Sequence, residues 1–205
     1  TAPRMSVMIS AIGVSYLLQN LATYVTGGLP QMYPALPGLS NQLTIAGVST
    51  KYVTVVTPVL VVLLVAALTQ LINHTKIGMA MRAAAKDFET AQLMGINVNS
   101  TISMTFAIGS ALAAIAGVLL CSSYPTLMPT TGSMPGIKAF TAAVFGGIGS
   151  IPGAFLGGLL LGIIEALAKA YISTQLANSI VFAVLIVVLL VKPAGLLGKI
   201  VPEKV

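Results

Sequence analysis

Five long apolar runs divide this chain, and no other feature constrains its fold as strongly. They cover about Met5–Tyr24, Tyr52–Ile72, Thr101–Cys121, Ala139–Leu167 and Leu176–Val191. A helix crosses about 30 Å of hydrocarbon with about 20 apolar residues. In lipid every backbone polar group must find its partner within the protein, so only helices and closed barrels cross. The runs lack the strict apolar–polar alternation of a barrel strand and therefore read as helices. The expectation is an all-α chain, a polytopic transmembrane helical bundle with a short cytosolic helix and a broken or re-entrant helix.

Composition agrees. Of 205 residues, 57% are hydrophobic and only 7% charged, against roughly 25% charged in a soluble domain. So few charges cannot make a water-facing surface, and lipid must cover most of the chain. The formal net charge is +6, but the basic residues are scattered and form no stripe with interleaved aromatics, so nucleic acid is not an expected partner. The lone Cys121 has no partner within the chain for a disulfide or a thiolate metal site, and reads as a small buried apolar residue. The opening Thr1-Ala2-Pro3-Arg4 resembles no signal peptide, and suggests a piece that begins partway into a longer protein.

Basic residues orient a membrane protein, because they accumulate on the cytosolic side. The loop between the second and third runs, 73–100, holds Lys76, Arg82 and Lys86, so it is expected in the cytosol, with Arg4 on the same side. The loop Thr26–Lys51 then lies outside. The far end poses a parity problem. If runs four and five were both simple crossings, the tail with Lys192, Lys199 and Lys204 would lie outside. The conflict disappears if the fourth run does not change sides. Its middle, GGIGSIPG (Gly146–Gly153), is where it can turn back: Ala139–Phe145 dips in and Ala154–Leu167 returns. Lys51, Lys138 and Lys169 are then outside, and the C-terminus is cytosolic.

Two stretches carry functional possibilities. Gly146, Gly147, Gly149, Ser150, Pro152 and Gly153 form the break: glycine allows conformations other residues avoid, and proline cannot donate a backbone bond. Gly153-x-x-x-Gly157 and Gly158-x-x-x-Gly162 follow at the spacing that lets helices approach closely. Two readings stand side by side: a discontinuous helix lining a substrate path, or a tightly packed kink. The second stretch is the cytosolic loop, where Lys76–Gly95 reads as one short helix. Met81, Ala85 and Phe88 share one face, and Arg82, Lys86 and Glu89 another. Lys86 and Glu89 can pair at i, i+3, Gly95 ends the helix, and Asn97–Ser100 caps the next. Spacing leaves open whether this helix rests on lipid headgroups or docks a protein.

Among single residues, Glu165 stands in a spanning run with Lys169 at i+4, and a local ion pair is expected. Lys138 reads as an interface anchor that snorkels. His74 has no nearby His or Cys, so no metal site is expected. Four acidic residues and one His, none clustered in a run, argue against a membrane hydrolase. No phosphate-cradling G-x-x-x-x-G-K-[ST] loop occurs, and no catalytic residue or cofactor is assigned.

Glu89-Thr90-Ala91-x-x-x-Gly95 resembles the EAA-x-x-x-G loop of ABC importer permeases. The wider stretch Arg82–Asn97, with Thr105–Gly109, Ala113–Leu119, Lys138–Gly153 and Leu190–Gly198, is similar to the branched-chain amino acid permeases of LivH type. The likeness spans nearly all of the chain and is loosest over Thr1–Lys51. It implies the C-terminal portion of a permease transmembrane domain, without the N-terminal helices, in a bacterial cytoplasmic (inner) membrane. It implies an ATPase-docking coupling helix at Arg82, Lys86, Asp87, Glu89, Ala91 and Gly95. The implied partners are a second permease subunit, two ABC ATPase subunits and an extracytoplasmic solute-binding protein. The implied function is high-affinity import of branched-chain or related amino acids, with ATP hydrolysed by the partner subunits. A secondary transporter or channel for a small polar solute is the alternative, since it too uses broken helices.

Overall fold

The structure is a computed structural model that describes residues 4–34, 42–45 and 48–198. The tail lysines Lys199 and Lys204 and part of the Thr26–Lys51 loop lie outside the described residues. The described chain is mainly helical: α1 (Arg4–Thr26), α2 (Tyr52–His74), α3 (Lys76–Lys86), α4 (Phe88–Leu93), α5 (Val98–Ser123), α6 (Ser133–Gly146), α7 (Ile151–Tyr171) and α8 (Ala177–Val191). Four short strands accompany them: β1 (Gln31–Met32), β2 (Gln42–Ile45), β3 (Val48–Lys51) and β4 (Thr126–Leu127).

Length and composition make three described helices able to cross a membrane: α2 with 23 residues, α5 with 26 and α7 with 21. At 1.5 Å rise per residue these are about 31–39 Å long, enough for the hydrocarbon core. Their apolar residues run around every side, as in a helix that lipid or neighbouring helices surround. Some helix hydroxyls, in α2 and α6, are satisfied locally. Thr57 Oγ1 donates to Val53 O at 2.7 Å, Thr69 to Val65 O at 2.7 Å and Thr141 to Ile137 O at 2.8 Å. Each closes on the carbonyl one turn back, which gives the hydroxyl a partner within its own helix.

The chain divides into two units, Thr1–Leu60 with Ile102–Ser133, and Val61–Thr101 with Met134–Val205. In the first, β1 pairs antiparallel with β4, Gln31 opposite Leu127 and Met32 opposite Thr126, and Tyr33 N donates to Pro125 O at 2.7 Å. The segments following α1 and α5 are thereby joined at one end. Lys51 Nζ donates to Ser123 O at 3.3 Å, a cation on a helix C-terminal carbonyl. β2 and β3 form a hairpin with Gln42 opposite Lys51.

In the second unit α7 and α8 pack together, and Phe145, Leu161 and Val181 form its apolar centre, with Ala142, Leu185 and Leu196 against them. A smaller cluster of Ala84, Ala91 and Val98 with Ile96 holds α3 and α4 to the start of α5.

Candidate functional site

Two places carry the residues singled out by sequence, the α3–α4 loop and the α6–α7 break. The loop begins at a tight corner. Thr75 caps α3, accepting from Gly78 N at 3.1 Å, while its hydroxyl donates to Leu71 O at 2.6 Å. A Cβ on Gly78 would overlap the backbone of Ile72, so only glycine permits so close a return of the chain. Arg82 reaches back to the end of α2, its guanidinium 3.5 Å from Asn73 Oδ1 and 3.4 Å from Asn73 O. A cation beside the last carbonyls of a helix is favourably placed.

The single helix expected over Lys76–Gly95 is two helices. Asp87 takes an extended conformation (φ −158°, ψ 118°), ends α3 and caps α4. Its carboxylate accepts from Glu89 N at 3.0 Å and from the Thr90 hydroxyl. Those bonds to the charged form, the Thr90 hydroxyl foremost, hold the Asp87 carboxyl below the usual carboxylate range. Aspartate at this position competes for the backbone and so favours a cap over a helix interior. The break moves Lys86 and Glu89 onto different helices, and the i, i+3 pair expected of them does not form. Within the loop Gly78, Ala84 and Ala91 are buried, whereas Ala85 and Phe88 are exposed. α4 ends in a Schellman motif, with Gly95 at φ +81°, Gly95 N donating to Gln92 O at 2.9 Å and Ile96 N to Ala91 O at 3.0 Å. Asn97 Oδ1 then accepts from Ser100 N at 3.2 Å and caps α5.

Large apolar side chains remain exposed in and just after α4. Leu93 is 87% exposed, Met94 78% and Phe88 48%, with Arg82, Lys86, Asp87 and Glu89 exposed nearby in the sequence.

The second place is the break. The expected interruption over Gly146–Gly153 is narrower in the structure: α6 ends at Gly146, four residues turn, and α7 starts at Ile151 with Pro152 in its first turn. Proline fits there because its missing N–H has no helical partner to lose. Ser150 caps α7 by accepting from Gly153 N at 3.1 Å. Gly147 (φ +108°) and Gly149 (φ +92°) take the left-handed conformations that make the turn. α6 begins at Ser133, ahead of the expected Ala139, and α7 runs past Leu167 to Tyr171.

The two glycine pairs behind the break have different roles. A Cβ on Gly157 would stand 2.5 Å from Ala142 O, so this glycine sets the contact between α6 and α7. A Cβ on Gly162 would meet nothing within 4 Å. Further along α7, Glu165 Oε1 lies 2.6 Å from Lys169 Nζ and 2.8 Å from Lys138 Nζ. The i, i+4 partner was legible in the sequence. The Lys138 contact was not, because it joins α6 to α7, and it makes Lys138 an ion-pair partner instead of a plain interface anchor. Cys121 is a free buried thiol, and among the described residues no three His, Cys, Asp or Glu side chains come together.

Apolar helices of spanning length, joined by a capped helical loop and a glycine-built break, define a multi-pass helical membrane protein. The chain belongs to the family described as "Branched-chain amino acid transport system / permease component", which it matches over residues 2–190. It is 47% identical to the "High-affinity branched-chain amino acid transport system permease protein LivH" of Escherichia coli (strain K12), over 98% of this chain and 67% of that protein. It is 44% identical to the corresponding protein BraD of Pseudomonas aeruginosa, again over 98% and 67%. It is also 34% identical, over 51% of this chain and 31% of that protein, to "Fructose import permease protein FrcC" of Rhizobium meliloti. No solved structure matches the chain.

Proposed function

We propose that this chain is the membrane-spanning subunit of an ABC importer that moves branched-chain amino acids across the bacterial cytoplasmic membrane. The observation that carries the reading is the family match, with 47% identity to LivH over 98% of the chain. The geometry of the loop supports the reading. ATPase subunits that close on ATP must push on a rigid element, and the α3–α4 loop is short, capped at each end and joined directly to two spanning helices, α2 and α5. Its exposed Phe88, Leu93 and Met94 offer apolar contacts for docking, and Arg82, Lys86, Asp87 and Glu89 charged ones. Ala91 and Gly95 shape the loop from within, the first in its core and the second at its terminal turn.

The loop and the C-terminus face the cytosol in this reading. Support comes from Lys76, Arg82 and Lys86 in the loop and Lys192 after α8, and from the β1–β4 pairing, which joins the segments after α1 and α5 at one end. The break at Gly146, Gly147, Gly149, Ser150, Pro152 and Gly153 borders the translocation path. The chain has no catalytic site of its own: two ATPase subunits hydrolyse ATP, a second permease subunit completes the path, and an extracytoplasmic binding protein delivers the amino acid.

The test is reconstitution of the importer in proteoliposomes, with leucine uptake and ATPase activity measured together. Reversing the charges of Arg82, Lys86 and Glu89 together is expected to lower binding-protein-stimulated ATPase activity about tenfold, while the permease still inserts in the membrane. Full stimulation in that triple variant would end the docking claim. Uptake of a sugar but not of leucine by the unmodified importer would end the substrate claim.

A further inference from the structure

Of the segment that follows α8, Lys192-Pro193-Ala194-Gly195-Leu196-Leu197-Gly198, the reading above uses only the charge of Lys192, yet the whole segment is built into the break. Leu196 N donates to Phe145 O at 3.0 Å and Leu197 N donates to Gly146 O at 2.9 Å. These are the last carbonyls of α6, which a helix end leaves without internal partners and which lipid cannot satisfy. Lys192 Nζ donates to Leu196 O at 2.7 Å, and Gly195 N to Lys192 O at 2.9 Å, so the segment is closed on itself as a compact strap. The Leu196 side chain packs against the cluster of Phe145, Leu161 and Val181, which ties the strap to α6, α7 and α8 together.

Backbone meets backbone at the centre of this contact. Gly195 is left-handed at φ +76°, and a Cβ on it would stand 2.6 Å from Gly147 N and Cα and 2.8 Å from Val144 O. Phe145, Gly146 and Gly147 are buried, whereas the next two residues are open, Ile148 at 79% exposure and Gly149 also exposed. The strap covers the base of the turn and leaves its tip free.

From this we propose that the post-α8 strap positions the broken helix: Lys192–Gly198 and the 145–147 base of the turn move as one body during transport, and the strap sets where Ile148 and Gly149 are presented. Gly195 and Lys192 are thus positioning residues, acting through the turn. The inference rests on the permease reading for its transport readout and for the ATP-trapped state.

The experiment uses the complete importer in proteoliposomes, with Cys121→Ser as the background. A Phe145→Cys/Leu196→Cys pair joins strap and turn. Its disulfide is expected to form to the same extent in the resting importer and in the vanadate-trapped ATP state, a readout that needs no substrate. Leucine uptake is expected to stay within about twofold of the reduced protein. Separately, Gly195→Ala is expected to lower the uptake turnover about tenfold with the half-saturating concentration of binding protein unchanged. Lys192→Met is expected to lower turnover and Lys192→Arg to restore it. Loss of cross-linking in one of the two states, or uptake that stops on oxidation and returns on reduction, would show that the strap must release and would overturn the proposal. So would wild-type turnover in inserted Gly195→Ala. If that variant fails to insert, the cross-linked pair alone decides. Failure of the leucine reading appears in the unmodified importer, before any variant is compared.

Discussion

At Asp87 one side chain decides the shape of the α3–α4 loop. Alanines on both sides favour a continuous helix, but the Asp87 carboxylate bonds to Glu89 N and the Thr90 hydroxyl and starts a second one. Because the charged form makes these bonds, its pKa lies below the ordinary value. The cap's contribution is therefore complete above the ordinary carboxylate pKa and is lost as pH falls through the lower, folded value. A Phe88→Trp reporter should be flat in fluorescence from neutral pH down to that acid range and change only below it. In an Asp87→Ala variant the reporter should show the uncapped signal at neutral pH. Glu165 shows a different limit of local reading. Its partner at i+4 follows from helical spacing, whereas Lys138 reaches it from another helix, and no spacing rule places the two together.

Among the helices, the α6–α7 hairpin depends on where a glycine lies on the helix surface. Gly157 faces Ala142 O and Gly162 faces open space, although both belong to small-residue repeats of the same period. Gly157→Ala should lower the thermal stability of the purified permease by about 1–3 kcal/mol, because backbone must shift to admit the methyl group. Gly162→Ala should stay within about 0.5 kcal/mol. Differential scanning fluorimetry in detergent compares them, and equal losses would remove the assigned role of Gly157. The repeats were legible in the sequence as packing motifs. Which repeat packs was not, since the answer depends on how α6 folds back over α7. The α3–α4 loop repeats the lesson. Helix-forming composition and Gly95 were visible, but the burial of Gly78, Ala84 and Ala91 was not, because it depends on how the loop folds back on the end of α2 and the start of α5.

For the whole chain, the membrane crossings carry a topology that single-cysteine labelling tests. In a Cys121→Ser background, Met94→Cys and Leu197→Cys should react with an impermeant maleimide only when the cytosolic face is opened. Tyr124→Cys should react from outside in intact cells. Labelling of Leu197→Cys from outside would mean that the fourth run crosses fully and would restore the parity conflict. Composition alone determined that this chain belongs in lipid, because 7% charged residues cannot clothe a soluble surface. The apolar runs determined its helices to within a few residues at several ends, because burying a helix in hydrocarbon demands an uninterrupted apolar length. The Lys138–Gly153 and Glu89–Gly95 stretches pointed to its family. Only the tertiary structure decided that the α6 carbonyls are completed by Leu196 and Leu197, that Lys138 answers Glu165, and that Gly157 and not Gly162 is a contact. Each joins residues on different segments, and a one-dimensional period holds no information about which backbone returns to meet which.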